Sequence, residues 1–114
     1  MATYDACIHV EAFEAMERGQ KTVYALLNTD DYTMICAGDR LEFGTLGSIT
    51  VGTVRKYKSL EDLVETEGWN NLVPGAEDRA GAIEDVRAIA EWDDNVEKTR
   101  GVLCLRVREA RRKI

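Results

Sequence analysis

The chain has 114 residues, enough for one domain with one continuous fold and too few for two. Its 45% hydrophobic and 32% charged residues are those of a water-exposed globular protein, and no apolar run approaches the ~20 residues of a membrane-crossing helix. A formal charge of −6 argues against indiscriminate binding to polyanions, whose affinity comes mainly from phosphate neutralisation.

In chain order, Ala6 to Val10 is a short apolar stretch suited to a first strand, and Glu11 to Arg18 has the spacing of an amphipathic helix. Phe13 and Met16 share one face of that helix, with Glu11, Glu14, Glu17 and Arg18 on the others. Gly19 stands where the helix should end, in the left-handed conformation that glycine tolerates. Lys21 then falls at a helix-to-strand corner, a place from which one cation can face a pocket. Thr22 to Leu27 alternates as a strand, and Asn28 to Asp31 is a polar turn cluster. Tyr32 to Cys36 is expected to be extended, leading into a turn at Gly38-Asp39 whose aspartate accepts backbone hydrogen bonds. Leu41 and Phe43 alternate with Arg40 and Glu42 in a half-buried strand, and Ile49 to Tyr57 forms a longer one. Ile49 and Val51 share a parity that Val54 breaks, so a bulge is predicted at Gly52.

Ser59, with Asp62 three residues on, caps a helix whose apolar face is Leu60, Leu63 and Val64 and whose end is Gly68. Trp69 to Gly75, with the only proline, reads as a loop, and Ala80 to Trp92 as another helix carrying Ile83, Val86, Ile89 and Ala90. Gly101 to Val107 closes the chain as a strand, with Leu103, Leu105 and Val107 facing in and Cys104, Arg106 and Arg108 facing out. The expected architecture is α+β: a small mixed β-barrel with about three short helices, one domain over residues 1–114, of which 109–114 form a basic tail.

Charge is unevenly distributed. Residues 60 to 97 carry twelve acidic side chains against Arg79 and Arg87, whereas residues 98 to 114 carry seven basic ones against Glu109. The basic residues read either as a solvated tail or as a functional stripe; Arg55, Lys56 and Lys58 with Arg106 and Arg108 would form such a stripe if their strands are neighbours, extended by Arg111, Arg112 and Lys113. Cys7, Cys36 and Cys104 are odd in number and far apart, which fits a reducing compartment. With no paired-cysteine spacing and a single histidine, His9, a metal site is not expected, and no cofactor is implied. The first residues lack a basic segment followed by an apolar one, so no signal peptide is expected and the chain reads as cytoplasmic.

Gly19-x-Lys21, Gly38-Asp39-x-Leu41-x-Phe43, Val54-x-x-Tyr57-x-Ser59, Glu65-Thr66-Glu67-Gly68 followed by Leu72-Val73-Pro74-Gly75, and the closing Gly101-Val102-Leu103-Cys104-Leu105 together resemble the ASCH domain, from about residue 8 to 108. The resemblance implies a PUA-like barrel that recognises RNA, or a nucleobase or nucleoside, in a small cleft centred on Lys21. Many ASCH sequences continue the lysine motif with a glutamate and an arginine, where this chain has Tyr24 and Leu26. A subgroup hydrolyses the amide of acylated cytidine and has threonine at the position of Tyr24. Carried over, that chemistry would use Lys21 as base, Tyr24 or Thr22 as hydroxyl and Glu67 as proton shuttle; a single-strand ribonuclease is a further alternative. Tyr24 as a stacking platform, Trp69 at the cleft rim, and Arg55, Lys56, Arg106 and Arg108 as a phosphate strip complete the expected ligand contacts.

Overall fold

In a computed structural model of the chain, which describes residues 1–113, five strands form one mixed sheet in the order β1-β3-β4-β5-β2. The strands are β1 (Thr3–Asp5), β2 (Val23–Leu27), β3 (Arg40–Phe43), β4 (Gly47–Tyr57) and β5 (Val102–Arg112). Only the β1–β3 pair is parallel. The sheet curls into a half-barrel and does not close, since β1 and β2 occupy its two edges. Five helices accompany it: α1 (Val10–Glu17), α2 (Leu60–Glu67), α3 (Trp69–Leu72), α4 (Arg79–Arg87) and α5 (Asp94–Arg100).

Apolar side chains collect on both faces of the sheet. On the inner face Phe13 and Met16 of α1 pack with Tyr24, Leu41, Phe43, Ile49, Val51, Leu103 and Leu105. On the outer face Val23, Ala25, Leu27, Val102 and Cys104 meet Leu60, Leu63 and Val64 of α2, Leu72 of α3, and Ile83 and Val86 of α4. The alternation along β5 is real, but both of its parities are buried from Val102 to Leu105. Cys104 therefore does not face solvent as expected: it is buried beneath the helices.

The break in parity along β4 is a bulge. Register steps from Val51↔Val107 to Val54↔Leu105, leaving one extra β4 residue beside Gly52. A second shift, between Thr50↔Glu109 and Val51↔Val107, leaves Arg108 as the extra residue on β5.

Several boundaries differ from the expectations. The first strand lies at Thr3–Asp5, not at residues 6–10, because it is the parallel partner of β3; Cys7 is consequently exposed and outside any strand. Residues 30–34 form a turn, with the Tyr32 and Thr33 amides bonding back to the Thr29 carbonyl, and Ile35 and Cys36 follow it outside any strand. The loop expected after Gly68 contains α3, and the helix expected to reach Trp92 stops at Arg87. The helix α5 that follows has its own signals in the sequence. Asp93 accepts from the amides of Asn95 and Val96, Lys98 and Arg100 sit in the last turn, and Gly101 ends it at φ 80°. Finally, residues 109–112 are not a tail: β5 continues through Arg112, paired with Gly47. Ile114, the last residue of the expected tail, lies outside the described residues.

Asp39 does hold its turn, accepting from the Ala2 and Cys36 amides at 2.9 Å each, and these bonds lower its carboxyl pKa. His9 is exposed, immediately before α1, and its side chain makes no cap hydrogen bond.

Candidate functional site

Gly19 ends α1 at φ 77°, and the amides of Gln20 and Lys21 both return to the Ala15 carbonyl. This tight exit turns Lys21 beneath α3, where it is only 6% exposed and donates from Nζ to the Leu72 carbonyl oxygen. No carboxylate among the described residues forms an ion pair with it. Burial disfavours the ammonium form and brings its pKa down to about 7, slightly opposed by the thiol of Cys104.

Glu67 enters from the last position of α2. Its carboxylate accepts a hydrogen bond from the Tyr57 hydroxyl and lies 3.7 Å from Arg55 Nη1. Arg55 and Tyr57 are two residues apart on β4, opposite Cys104 and Val102, so all four share the outer face of the sheet. The Cys104 thiol, pushed up to about 12 mainly by burial, also feels Glu67, Lys21 and Arg55. The structure thus gathers Lys21, Glu67, Arg55 and Tyr57 around one buried thiol. Lys21 reaches this place from a loop, Glu67 from a helix end, and the other two from a strand.

Tyr24 is not part of that group. Its ring belongs to the inner core, 5.5 Å from that of Phe43 at 69°, and its hydroxyl donates to the Cys7 carbonyl at 2.8 Å. Burial raises its pKa further from neutrality. Although Lys21 Nζ lies 5.7 Å from the Tyr24 ring centroid, the phenol is directed elsewhere and the ring is 8% exposed. This geometry favours neither a nucleophile nor a stacking platform. Trp69 opens α3 and packs half-buried against the outer-face core.

The expected basic strip divides. Arg55 shares the outer face with Arg106, which lies two residues beyond Cys104 on β5 and packs close to Gly52. Lys56 pairs with Leu103 and points to the opposite face. Arg108 is exposed but sits at the β5 bulge, where strict alternation ends.

Tyr57 is a site residue that stands in one of the sequence motifs but was given no role there. Its signal was period-2 parity with Arg55, combined with an eight-residue helix that returns Glu67 toward the same strand. Among the described residues no group of three His, Cys, Asp or Glu side chains is arranged to hold a metal ion.

No protein-family model and no curated protein matches the chain. Solved structures do, among them two that share its fold. The crystal structure of hypothetical protein PH0355 is 24% identical, with 98% of this chain and 99% of that one covered, at a TM-score of 0.83. The solution NMR structure of protein PF0455 from Pyrococcus furiosus is also 24% identical, covers 96% of each chain and has a TM-score of 0.75. At this identity the likeness is one of fold.

Proposed function

We propose that the chain is an ASCH-type, PUA-like domain that recognises RNA, or a nucleobase or nucleoside, through the polar group around Lys21. The observation that carries this reading is a buried amino group with a single carbonyl partner and no carboxylate against it. An ammonium has three donors, and leaving two without partners in a desolvated place costs free energy. A ligand carbonyl or phosphate oxygen would offset that cost. Glu67 adds an acceptor suited to an exocyclic amine, and Arg55 a planar donor. Three free thiols, two of them exposed, are consistent with work in the reducing cytoplasm.

A second reading, hydrolysis of an acyl amide on cytidine or a related nucleoside, is favoured by one observation: Lys21 titrates near 7, where a general base is most effective. Since the Tyr24 hydroxyl is committed to Cys7, the hydroxyl in this reading is that of Thr22. Neutral Lys21 takes its proton, the Thr22 oxygen attacks the acyl carbon, and the C–N bond breaks as Glu67 relays that proton from Lys21 to the departing amine; water then hydrolyses the threonine ester and releases the carboxylic acid.

The two readings differ in the sign of their pH dependence. If Lys21 holds an anionic group as a cation, affinity for labelled single-stranded RNA falls as pH rises through about 7. If it acts as a base, turnover of acylated cytidine rises over the same interval. In either case Lys21→Ala abolishes the signal while the circular dichroism spectrum is retained. RNA affinity and nucleoside turnover both unaffected by Lys21→Ala would remove Lys21 from the site.

A further inference from the structure

Helices α2 to α5 cover only part of the outer face of the sheet: β2 and the adjoining ends of β4 and β5. Beyond the β4 bulge the same face is bare, and its side chains follow from register. One row across β1, β3, β4 and β5 is Thr3, Arg40, Thr50 and Glu109; the next is Asp5, Glu42, Ser48 and Arg111. Arg40, Ser48, Thr50, Glu109 and Arg111 line a cavity of about 200 Å³. Ser48 is only 8% exposed. Two hydroxyls therefore lie between two guanidinium groups, which are the planar donors best matched to phosphate oxygens.

The acids on this face set its net charge. Glu109 holds Arg111 at 2.8 Å, and Glu42 and Asp5 flank the second row. Arg40, Arg106 and Arg108 form no ion pair among the described residues, so each of these guanidinium groups is free to meet a ligand. Arg106 and Arg108 lie on β5 between this cavity and the group at Cys104. Along β5, Cys104 and Glu109 are roughly 17 Å apart at about 3.4 Å per residue.

We infer that this cavity is a phosphate subsite for a single-stranded polynucleotide whose base occupies the Lys21 group and whose backbone crosses the bare half of the sheet past Arg106 and Arg108. The inference rests on the recognition reading above and makes the partner a strand several nucleotides long, not a free nucleoside. Arg40 and Arg111 donate to the phosphate oxygens, with Ser48 and Thr50 as hydroxyl donors, and Glu109 opposes binding.

The test measures affinity of a labelled oligocytidylate of about ten nucleotides, and separately of cytidine, at salt between about 50 and 200 mM. Wild type is compared with Arg40→Ala, Arg111→Ala, Glu109→Gln and Lys21→Ala. Arg40→Ala is expected to weaken oligonucleotide binding roughly fivefold and to reduce the log–log salt slope by about 0.7, leaving cytidine unaffected. Glu109→Gln is expected to strengthen it, an outcome that loss of structure would not produce. All three sheet substitutions are on exposed side chains, and unchanged thermal melts confirm folding. If the oligonucleotide binds in a Lys21-dependent way but is indifferent to Arg40→Ala, Arg111→Ala and Glu109→Gln, the subsite is wrong and the Lys21 reading stands. Cytidine binding without oligonucleotide binding overturns the subsite alone. Binding of neither overturns both.

Discussion

Lys21 is where sequence, burial and chemistry meet most directly. Its pKa in the folded chain is about 7, whereas a solvated lysine titrates near ~10.4. Between those values the unfolded chain binds more protons than the folded one, so the lysine's burial penalty fades as pH rises through this window. Relative to Lys21→Met, the wild-type chain should gain stability on the order of 3 kcal/mol between about pH 7 and 9.5. Urea midpoints of the two proteins across that range measure it, and parallel curves would show that the lysine is solvated. Its corner between Gly19 and the strand that follows drew attention to this residue, and the family resemblance, more than position, made it a site candidate. Its burial was not legible, since the groups that cover it, Leu72 and Cys104, are separated from it by 51 and 83 residues of chain. Tyr24 shows the converse: a motif position identified it, but strand parity sends its phenol to the other core.

Among the elements, the helices on the outer face depend on one acid. Glu97 of α5, 4% exposed, accepts from the Leu60 amide at the start of α2, from Arg87 of α4 and from Trp92 Nε1. Burial by itself would raise its pKa, but those hydrogen bonds outweigh it and hold the carboxyl below its ordinary value. Arg87 also grips Glu61 of α2 through two bonds of 2.8 and 2.7 Å, which bring that carboxyl down to about 2. Arg87→Ala strands a buried carboxylate and should destabilise the fold by about 3–5 kcal/mol. In Arg87→Ala the Glu97 carboxyl, freed of its cation, should titrate at higher pH. Protonation then relieves the buried charge in the variant, while wild type loses the stability that its lowered carboxyl supplies, so the gap between the two narrows on acidification; thermal melts from pH 7 down to 4 test this, and a constant gap would exclude the role. The junction of α5 and β5 is equally constrained. Gly101 has φ 80° and a Cβ there would meet the Tyr57 carbonyl oxygen, so Gly101→Ala should cost about 2 kcal/mol or more by chemical denaturation. The Ser59 cap, the Gly19 stop and the Gly52 bulge were readable because each is a local demand on the backbone. The stop of α4 at Arg87 was not, since Ile89 and Ala90 continue the apolar period past the point where tertiary packing ends the helix.

For the whole molecule, the two cores lie on opposite faces of the same strands, β2, β4 and β5, and neither can form without them. Unfolding should therefore be a single transition. Both tryptophans pack on the outer face, while Phe13 is fully buried in the inner one. Phe13→Ala should lower stability by about 3–5 kcal/mol and move the tryptophan fluorescence midpoint together with the far-ultraviolet signal. Separate midpoints would mean that the two faces fold independently. The sequence by itself determined the α+β class, most of the strands, the caps and the bulge, because these follow from periodicity and from the conformational limits of individual residues. It also identified Lys21, Glu67 and Arg55 as residues to examine. Only the tertiary structure decided that the sheet stays open with β1 beside β3, and that Tyr24 and Lys56 turn away from the site. Likewise it alone brought Tyr57 to Glu67 and left half of the outer face bare. Strand order and the burial of both sheet faces are set by contacts between distant segments, and periodicity along one strand carries no record of which segment lies across it.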